Sequence, residues 1–374
     1  MATDVDAAAL VRMAALTDPG RVRRARESHG LTQAQLAGQL EAAGHGISAP
    51  ALSQIERGVT RPSPETLVAL ASVLDHPVSF FARRAVPTGG SDDADTGGFF
   101  RSLRATSARD RRCALANAFL MHDLVVAIEK HVRLPELEVP RLGASQPAEA
   151  AAQVRRAWGM DGGPVPHVVR ELERHGVVVV RLANAGEKVD AFSVNFPNRP
   201  VVVLGNDKGK RDRSRFDASH ELGHLVLHDH PDHEGTDVEA EAHAFAAEFL
   251  MPADVIEADL SAERLTWSRL LDLKLRWGTS IAALVRRARD VDVISQAQYT
   301  NFMKAISARG WRKDEPGDQD LGPPEASAML DIIEDYFKKQ NISLDRIAEQ
   351  AGLPLRPLRA IIEASRDPRP RLRL

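Results

Sequence analysis

Cysteine is all but missing from this 374-residue chain. Cys113 stands alone, which excludes a disulfide framework and any cysteine-rich zinc module. Long hydrophobic runs are missing too: no uncharged stretch approaches the roughly 18 apolar residues that a membrane helix needs. The opening residues, MATDVDAAALVRM, lack the basic-then-apolar order of a secretory signal. There is no excess of either charge. The 49 basic and 52 acidic side chains leave −3, so no global field advertises nucleic acid, and any such site has to be a local patch. What is present is ordinary: 43% apolar and 27% charged residues, the balance of a core-forming chain rather than a disordered one. The length gives two or three domains. The expectation is a soluble, cytoplasmic, multidomain protein with no membrane partner.

Three stretches interrupt the apolar periodicity. VPTGGSDDADTGG, residues 86–98, reads as a flexible linker. WRKDEPGDQDLGPPE, residues 311–325, is dense in charge, proline and glycine, and the tail SRDPRPRLRL cannot build a core. Between them the patterning is mostly helical. Thr32 and Gln35 form a capping box ahead of AQLAGQL; Ser48, followed by Pro50, can cap a second helix, and Ser63–Pro64 a third. Ala114 to Val132 predicts a long helix. HGVVVVRL, VDAFSVNF and RPVVVLGN predict three strands, followed by helices from about Arg211 to Leu227 and from Val238 to Met251. The expected fold is mainly α with a small β-sheet (α+β). It divides into a helical unit at 1–85, the linker at 86–98, a helical connector at 99–145, an α+β unit at 146–316, and a helical C-terminal region with a basic tail at 317–374.

The sharpest chemical signal is HELGH, His220 to His224. Histidines at i and i+4 share a helix face, so both imidazoles can reach one ion, and Glu221 beside them can take a proton from water activated there. The competing reading is a surface helix with two solvated histidines. Against it stand the preceding strands, the apolar frame of Phe216, Leu222, Leu225 and Val226, and the trailing EAEAHAFAAEFLMP. The site needs a carboxylate from a following helix as its third protein ligand, with a fourth position left open. Glu239 is the first choice and Glu241 the second, because the two cannot face the same way on one helix. His228, His230 and His233 read as a polar, exposed loop.

HELGH followed by E-x-E-A-x-x-F-A-A-E-x-L-M-P resembles the ImmA/IrrE family of metallopeptidases, and the likeness extends over about residues 150–316. The resemblance implies that His220, His224 and Glu239 hold Zn2+ and that Glu221 is the general base. His243 departs from it, since many members carry Asn or Asp there. A histidine at that position can bond a reacting oxyanion, which makes it a catalytic candidate, or cap the ligand shell.

LTQAQLAGQL, a turn, and ISAPALSQIERGVTRPSPETLVALASVL are similar to the XRE (Cro/repressor-like) helix-turn-helix, which implies a five-helix DNA-binding domain. EAAGHG between the two helices is longer than the usual tight turn. Carried over, Gln33 opens the first helix against phosphate or base, and Ser48, Ala49, Ser53 and Gln54 face the major groove. Arg21, Arg23, Arg24 and Arg26 cluster before the motif, and Arg57 and Arg61 follow it, as phosphate anchors; Arg24 and Arg57 are the leading candidates. Modules of this type read half-sites, so a homodimer on a double-stranded, two-fold operator is expected.

Two weaker features remain. FFRSLRATSARDRR, residues 99–112, either tracks phosphates or forms the solvated start of a helix, the second being favoured. SLDRIAEQAGLPLRPLRAII, residues 343–362, is a helix–glycine turn–helix, read as a cap or dimerisation element ahead of a second DNA reader. Two functions fit the whole. One is a DNA-binding regulator whose zinc endopeptidase domain cleaves a repressor protein, or this chain's own linker. The other is a non-cleaving transcription factor whose metallopeptidase-like domain senses a ligand or metal. The intact set His220, Glu221, His224 and Glu239 favours the first, since sensing alone has no use for Glu221.

Overall fold

Side-chain caps set the first helices. In the computed structural model the described residues are 6–82, 107–143, 145–160, 162–182, 191–205, 209–228 and 237–366. The linker expected at 86–98, the first part of the 99–112 run, His230, His233 and the tail beyond 366 lie outside them. Helices α1 (Ala7–Ala15), α2 (Pro19–Ser28), α3 (Gln33–Ala42), α4 (Ala49–Glu56) and α5 (Pro64–Val73) are closed by a single turn, α6 (Val78–Phe81). The box at Thr32 forms, with Gln35 N donating to Thr32 Oγ1 at 3.2 Å and Thr32 N to Gln35 Oε1 at 2.9 Å. Ser48 and Ser63 accept from Ala51 N and Thr66 N, and so start α4 and α5. The long α3–α4 connection is tied down where the His45 ring meets Thr66 Oγ1 at 3.0 Å.

Helix α7 (Ala108–Ile128) begins six residues before the predicted start. Ser107 explains the difference: it accepts from Asp110 N at 3.1 Å and donates to the Asp110 carboxylate at 2.7 Å. One flank of α7 meets α2. There the buried Arg21 guanidinium forks onto Asp123 at 2.7 and 3.2 Å, and Arg24 lies 3.9 Å from the centre of the Phe119 ring. The other flank meets the end of the sheet, where Phe196 stacks on His122 at 4.1 Å and stands edge-on to Phe119 at 5.0 Å.

After α8 (Pro147–Ala157) and α9 (Val168–Arg174) come β1 (Val178–Leu182), β2 (Ala191–Val194) and β3 (Val201–Gly205), ordered β1-β3-β2. β1 runs parallel to β3 with Val178 opposite Val201, and β2 antiparallel with Ala191 opposite Leu204. The strands read as valine runs because both faces are covered. Val178, Val180, Phe192, Val194 and Val203 enter a core shared with α1–α7 and the last three helices. Val179, Ala191, Val202 and Leu204 enter a second core. That second core is completed by α10 (Arg211–Leu227), α11 (Val238–Leu250), α12 (Ala253–Ser261), α13 (Trp267–Trp277), α14 (Ile281–Asp290) and α15 (Gln296–Ala308). The sheet is therefore a wall between the N-terminal helices and the HELGH helix.

The chain ends in α16 (Met329–Lys339), α17 (Leu344–Gln350) and α18 (Leu355–Arg366). α18 lies on β1, where Ser365 Oγ accepts from Arg181 N at 2.8 Å, so the 343–362 unit caps the sheet. Gly352 turns α17 into α18 at φ +62°. A Cβ there would stand 2.7 Å from Ser79 Oγ, so this turn abuts α6.

The stretch 311–325 is not an exposed break. The Lys274 ammonium, fully buried, donates to Asp212 at 3.3 Å, to Glu315 at 2.9 Å and to Asp318. Glu325, also buried, accepts from Val169 N at 3.0 Å and pairs with Arg215. The expected 316/317 boundary falls inside this knot. Composition alone does not distinguish charges paired inward from charges in water.

Removing one partner from a buried ion pair costs about 3–5 kcal/mol, because the other charge stays buried. Asp123→Asn should lower urea-unfolding stability by about that amount, while Asp335→Asn on the surface should change it by less than about 0.5 kcal/mol.

Candidate metal centre

α10 is buried on nearly every side: 13 of its 17 residues are covered by the sheet, α8, α9 and α11. Its polar side chains must therefore find partners inside the fold. His220 and His224, one turn apart, face α11, and Gly223 lets that helix approach. A Cβ at Gly223 would come within 3.1–3.2 Å of the Phe245 ring. The approach brings Glu239, in the first turn of α11, onto both histidines. The three side chains form a triangle: His220 Nε2 to His224 Nε2 is 3.1 Å, and the two Glu239 oxygens divide between them, Oε2 lying 3.3 Å from His220 Nε2 and Oε1 3.6 Å from His224 Nε2. Four ligands at ~2.0–2.1 Å around a tetrahedral ion stand ~3.3–3.4 Å apart, so this donor set fits a divalent metal of that kind. The other acid cluster among the described residues, Asp212, Glu315 and Asp318, already holds the Lys274 ammonium.

Protonation suits the same role at His224 and Glu239, whereas at His220 a metal has to displace a proton that the neighbouring carboxylates favour. Burial, with the neighbouring imidazoles of His220 and His228, pushes His224 well below the usual histidine range and keeps it neutral. Burial also opposes charge on His220, but the Glu239 hydrogen bond and the Glu221 and Glu239 charges outweigh it and raise its pKa. For Glu239, burial acts upward and is overcome by His220, so the carboxylate stays ionised.

Glu221 lines the same cleft as His220 and Glu239 and is anchored to β2. Its Oε2 accepts from Ser193 Oγ at 2.8 Å, while Oε1 is buried with no hydrogen-bond partner. Burial pushes its pKa up to about 7, against the pull of His220 and Ser193. A base poised near neutrality is what proton transfer from water needs. Of the two carboxylates weighed as third ligand, Glu239 reaches the histidines. Glu241 turns instead to His228, accepting from its Nε2 at 2.8 Å. His228 in turn meets His224, Nδ1 to Nδ1, at 3.0 Å. With His224 Nε2 in the triangle, its Nδ1–H donates to His228, and His228 Nε2–H donates to Glu241. His228 is thus buried and bonded, not part of an exposed loop. Its place four residues after His224 was the overlooked signal.

His243 sits at the mouth of the site. Its Nδ1 lies 2.7 Å from the Glu239 carbonyl and its ring stands perpendicular to His220 with centres 4.5 Å apart. In front of it opens a cleft of about 870 Å³, with Phe216, Tyr299 and Trp311 in its walls and Arg286, Arg312 and Lys313 among its cations.

Across the sheet, α4 sets Leu52 and Ile55 in the core and leaves Ser48 and Gln54 exposed, with Ala49 and Ser53 partly so. Gln33 donates to Glu56 at 2.8 Å, and Arg57, exposed, bonds the Ser53 carbonyl at 3.3 Å. Four of the arginines flanking the motif are engaged elsewhere. Arg21 forks onto Asp123, Arg24 lies on Phe119, Arg26 forks onto Glu56 at 2.6 and 2.8 Å, and Arg61 bonds the Thr17 carbonyl.

Residues 22–81 match the family model of a helix-turn-helix, and residues 172–289 that of the IrrE N-terminal-like domain. The chain fuses these two domains. None of the curated proteins compared matches it. The IrrE-like match spans β1, the HELGH helix and the Glu239 helix, so the triangle lies wholly inside it; α7 lies in neither match. The fusion makes the protein a DNA-binding regulator with a peptidase-family domain. Among the described residues no helix is long and apolar enough to cross a membrane.

Outer partners that orient a ligating histidine typically carry 10–100-fold in metal affinity. His228→Ala should therefore weaken divalent-metal binding by about that factor in a chelator-competition titration. Glu241→Ala should act in the same direction, and the double variant should lose no more than the larger single effect.

Proposed function

We propose that the IrrE-like domain is a zinc-dependent endopeptidase. In this reading it cleaves a repressor protein, or the chain's own linker at 86–98, and thereby switches the genes whose operator the helix-turn-helix binds. The reading places the protein in the cytoplasm, as a homodimer on a two-fold site in duplex DNA. The observation that carries it is the His220–His224–Glu239 triangle with an unpartnered, buried Glu221 oxygen beside it. His220, His224 and Glu239 would hold the ion, and zinc, when bound, supplies Lewis acidity to a scissile carbonyl and to the attacking water.

The remaining work falls to side chains of this chain. Glu221 takes the proton of the attacking water on Oε1, while Ser193 holds Oε2 and fixes the carboxylate plane. His243, at the cleft mouth, donates Nδ1–H to the Glu239 carbonyl and so caps the ligand shell; it bonds the oxyanion that forms only as imidazolium, with Nε2 protonated as well. When the C–N bond breaks, the proton on Glu221 passes to the departing amine and the base is restored.

A second reading draws on the sheet. β2 carries Ser193 on one face and Phe192 and Val194 on the other, in the core shared with the helix-turn-helix. Occupation of the metal site can bias that core without any cleavage, which is the sensor alternative.

Purified protein should contain one zinc per chain by elemental analysis; less than a tenth of an equivalent after zinc addition would sink the site. Glu221→Gln should cut proteolysis by 10²–10⁴-fold or more, roughly the contribution of a general base, with zinc and DNA binding retained. The same variant separates the readings, because a promoter that still switches with cleavage abolished leaves the sensor.

A further inference from the structure

The helix-turn-helix alone does not account for the basic surface around it. Between α2, the start of α3 and the end of α4 lies a pocket of about 390 Å³, lined by Thr32, Gln33, Ser53 and Arg57 together with Arg109 and Arg112 of α7. Arg23 and Arg26 complete its cations, and Glu27 and Glu56 are its two acids. Five arginines thus face two carboxylates. Glu56 is already taken by Arg26 and Gln33, and Glu27 lies 3.6 Å from Arg26 and 3.5 Å from Arg112. Arg109 and Arg112 are exposed and one turn apart on α7. Arg109 lies over the Gly30 turn, where a Cβ would stand 3.5 Å from its Nε.

We propose that Arg109 and Arg112 are part of the DNA-binding surface and clamp the phosphodiester backbone of duplex DNA beside α4. Gln33, Ser53 and Arg57, three of the side chains expected to meet DNA, share this pocket with both arginines, so a duplex seated on them would pass within reach of Arg109 and Arg112. The two charges supply what Arg21, Arg24, Arg26 and Arg61 cannot, since those four are held by Asp123, Phe119, Glu56 and Thr17. The clamp adds affinity without sequence preference. It rests on DNA binding by the helix-turn-helix and extends it to a helix that the family match leaves out.

The test uses the full chain and a short random-sequence duplex, titrated between about 50 and 200 mM salt. Each phosphate contact contributes about 0.9 to the slope of log affinity against log salt, so R109A/R112A should flatten that slope by about 1.8 and bind about tenfold more weakly at the low-salt end. R109K/R112K should keep the wild-type slope. R264A/K304A, which removes the same charge from exposed positions outside the helix-turn-helix, should leave it unchanged. A wild-type slope in R109A/R112A, with wild-type unfolding stability, overturns the clamp. Wild-type protein that binds no duplex even at low salt overturns helix-turn-helix binding itself. Displacement of the duplex by inorganic phosphate, beyond that by chloride of equal ionic strength, would make the pocket a small-anion site and also overturn the clamp.

Discussion

A helix covered on nearly all sides yet carrying two histidines, a glutamate and a third histidine at its end can exist only if each polar group is met inside the fold. That demand organises the IrrE-like half. It places Ser193 on β2 opposite Glu221, draws Glu239 across the gap opened by Gly223, and ties His224 through His228 to Glu241. Around the site, among the described residues, what remains without a hydrogen bond is one oxygen each of Glu221 and Glu239 and the Nδ1 of His220. Unpartnered buried acceptors are costly, and they are kept where chemistry uses them.

The same accounting explains how the charged residues of the other half are spent. Arginine is the residue most able to fork onto a carboxylate, and here it does so inward. Arg21 and Arg26 fasten α2 to α7 and to α4, so the face of the helix-turn-helix is left with fewer cations than its composition suggests. The connector helix stands where the difference can be made up.

Much of this was legible in the residues. HELGH carried its own geometry, because the i, i+4 spacing fixes which side chains share a face, and the valine runs announced a sheet buried on both sides. The capping serines and the Thr32–Gln35 box marked where helices begin. What stayed hidden has one physical cause: a residue type states what bonds it can make, not which partner it meets. Arg21 and Arg23 look alike in sequence, yet Asp123, a hundred residues on, claims one of them. His228 looked like loop because its neighbours are polar, although it continues the row of His220 and His224. The 311–325 stretch read only as an interruption of the apolar pattern because its partner, Lys274, lies on α13.

One feature bears on how such fusions arise. α7 shares its buried faces between α2 and the sheet, and the α17–α18 turn presses on α6 from the far end of the chain. A helix-turn-helix lifted out at residues 22–81 would leave behind Arg21, which covers Phe80 and forks onto Asp123, and would part Arg24 from the Phe119 ring it lies on. The piece that can be traded between genes is therefore larger than the part that touches DNA. It has to include the first helix beyond the linker, or compensating changes on the face that helix covers. Lineages that swap operator specificity in this architecture should do so by substitutions along α4, leaving the seam between α2 and α7 in place.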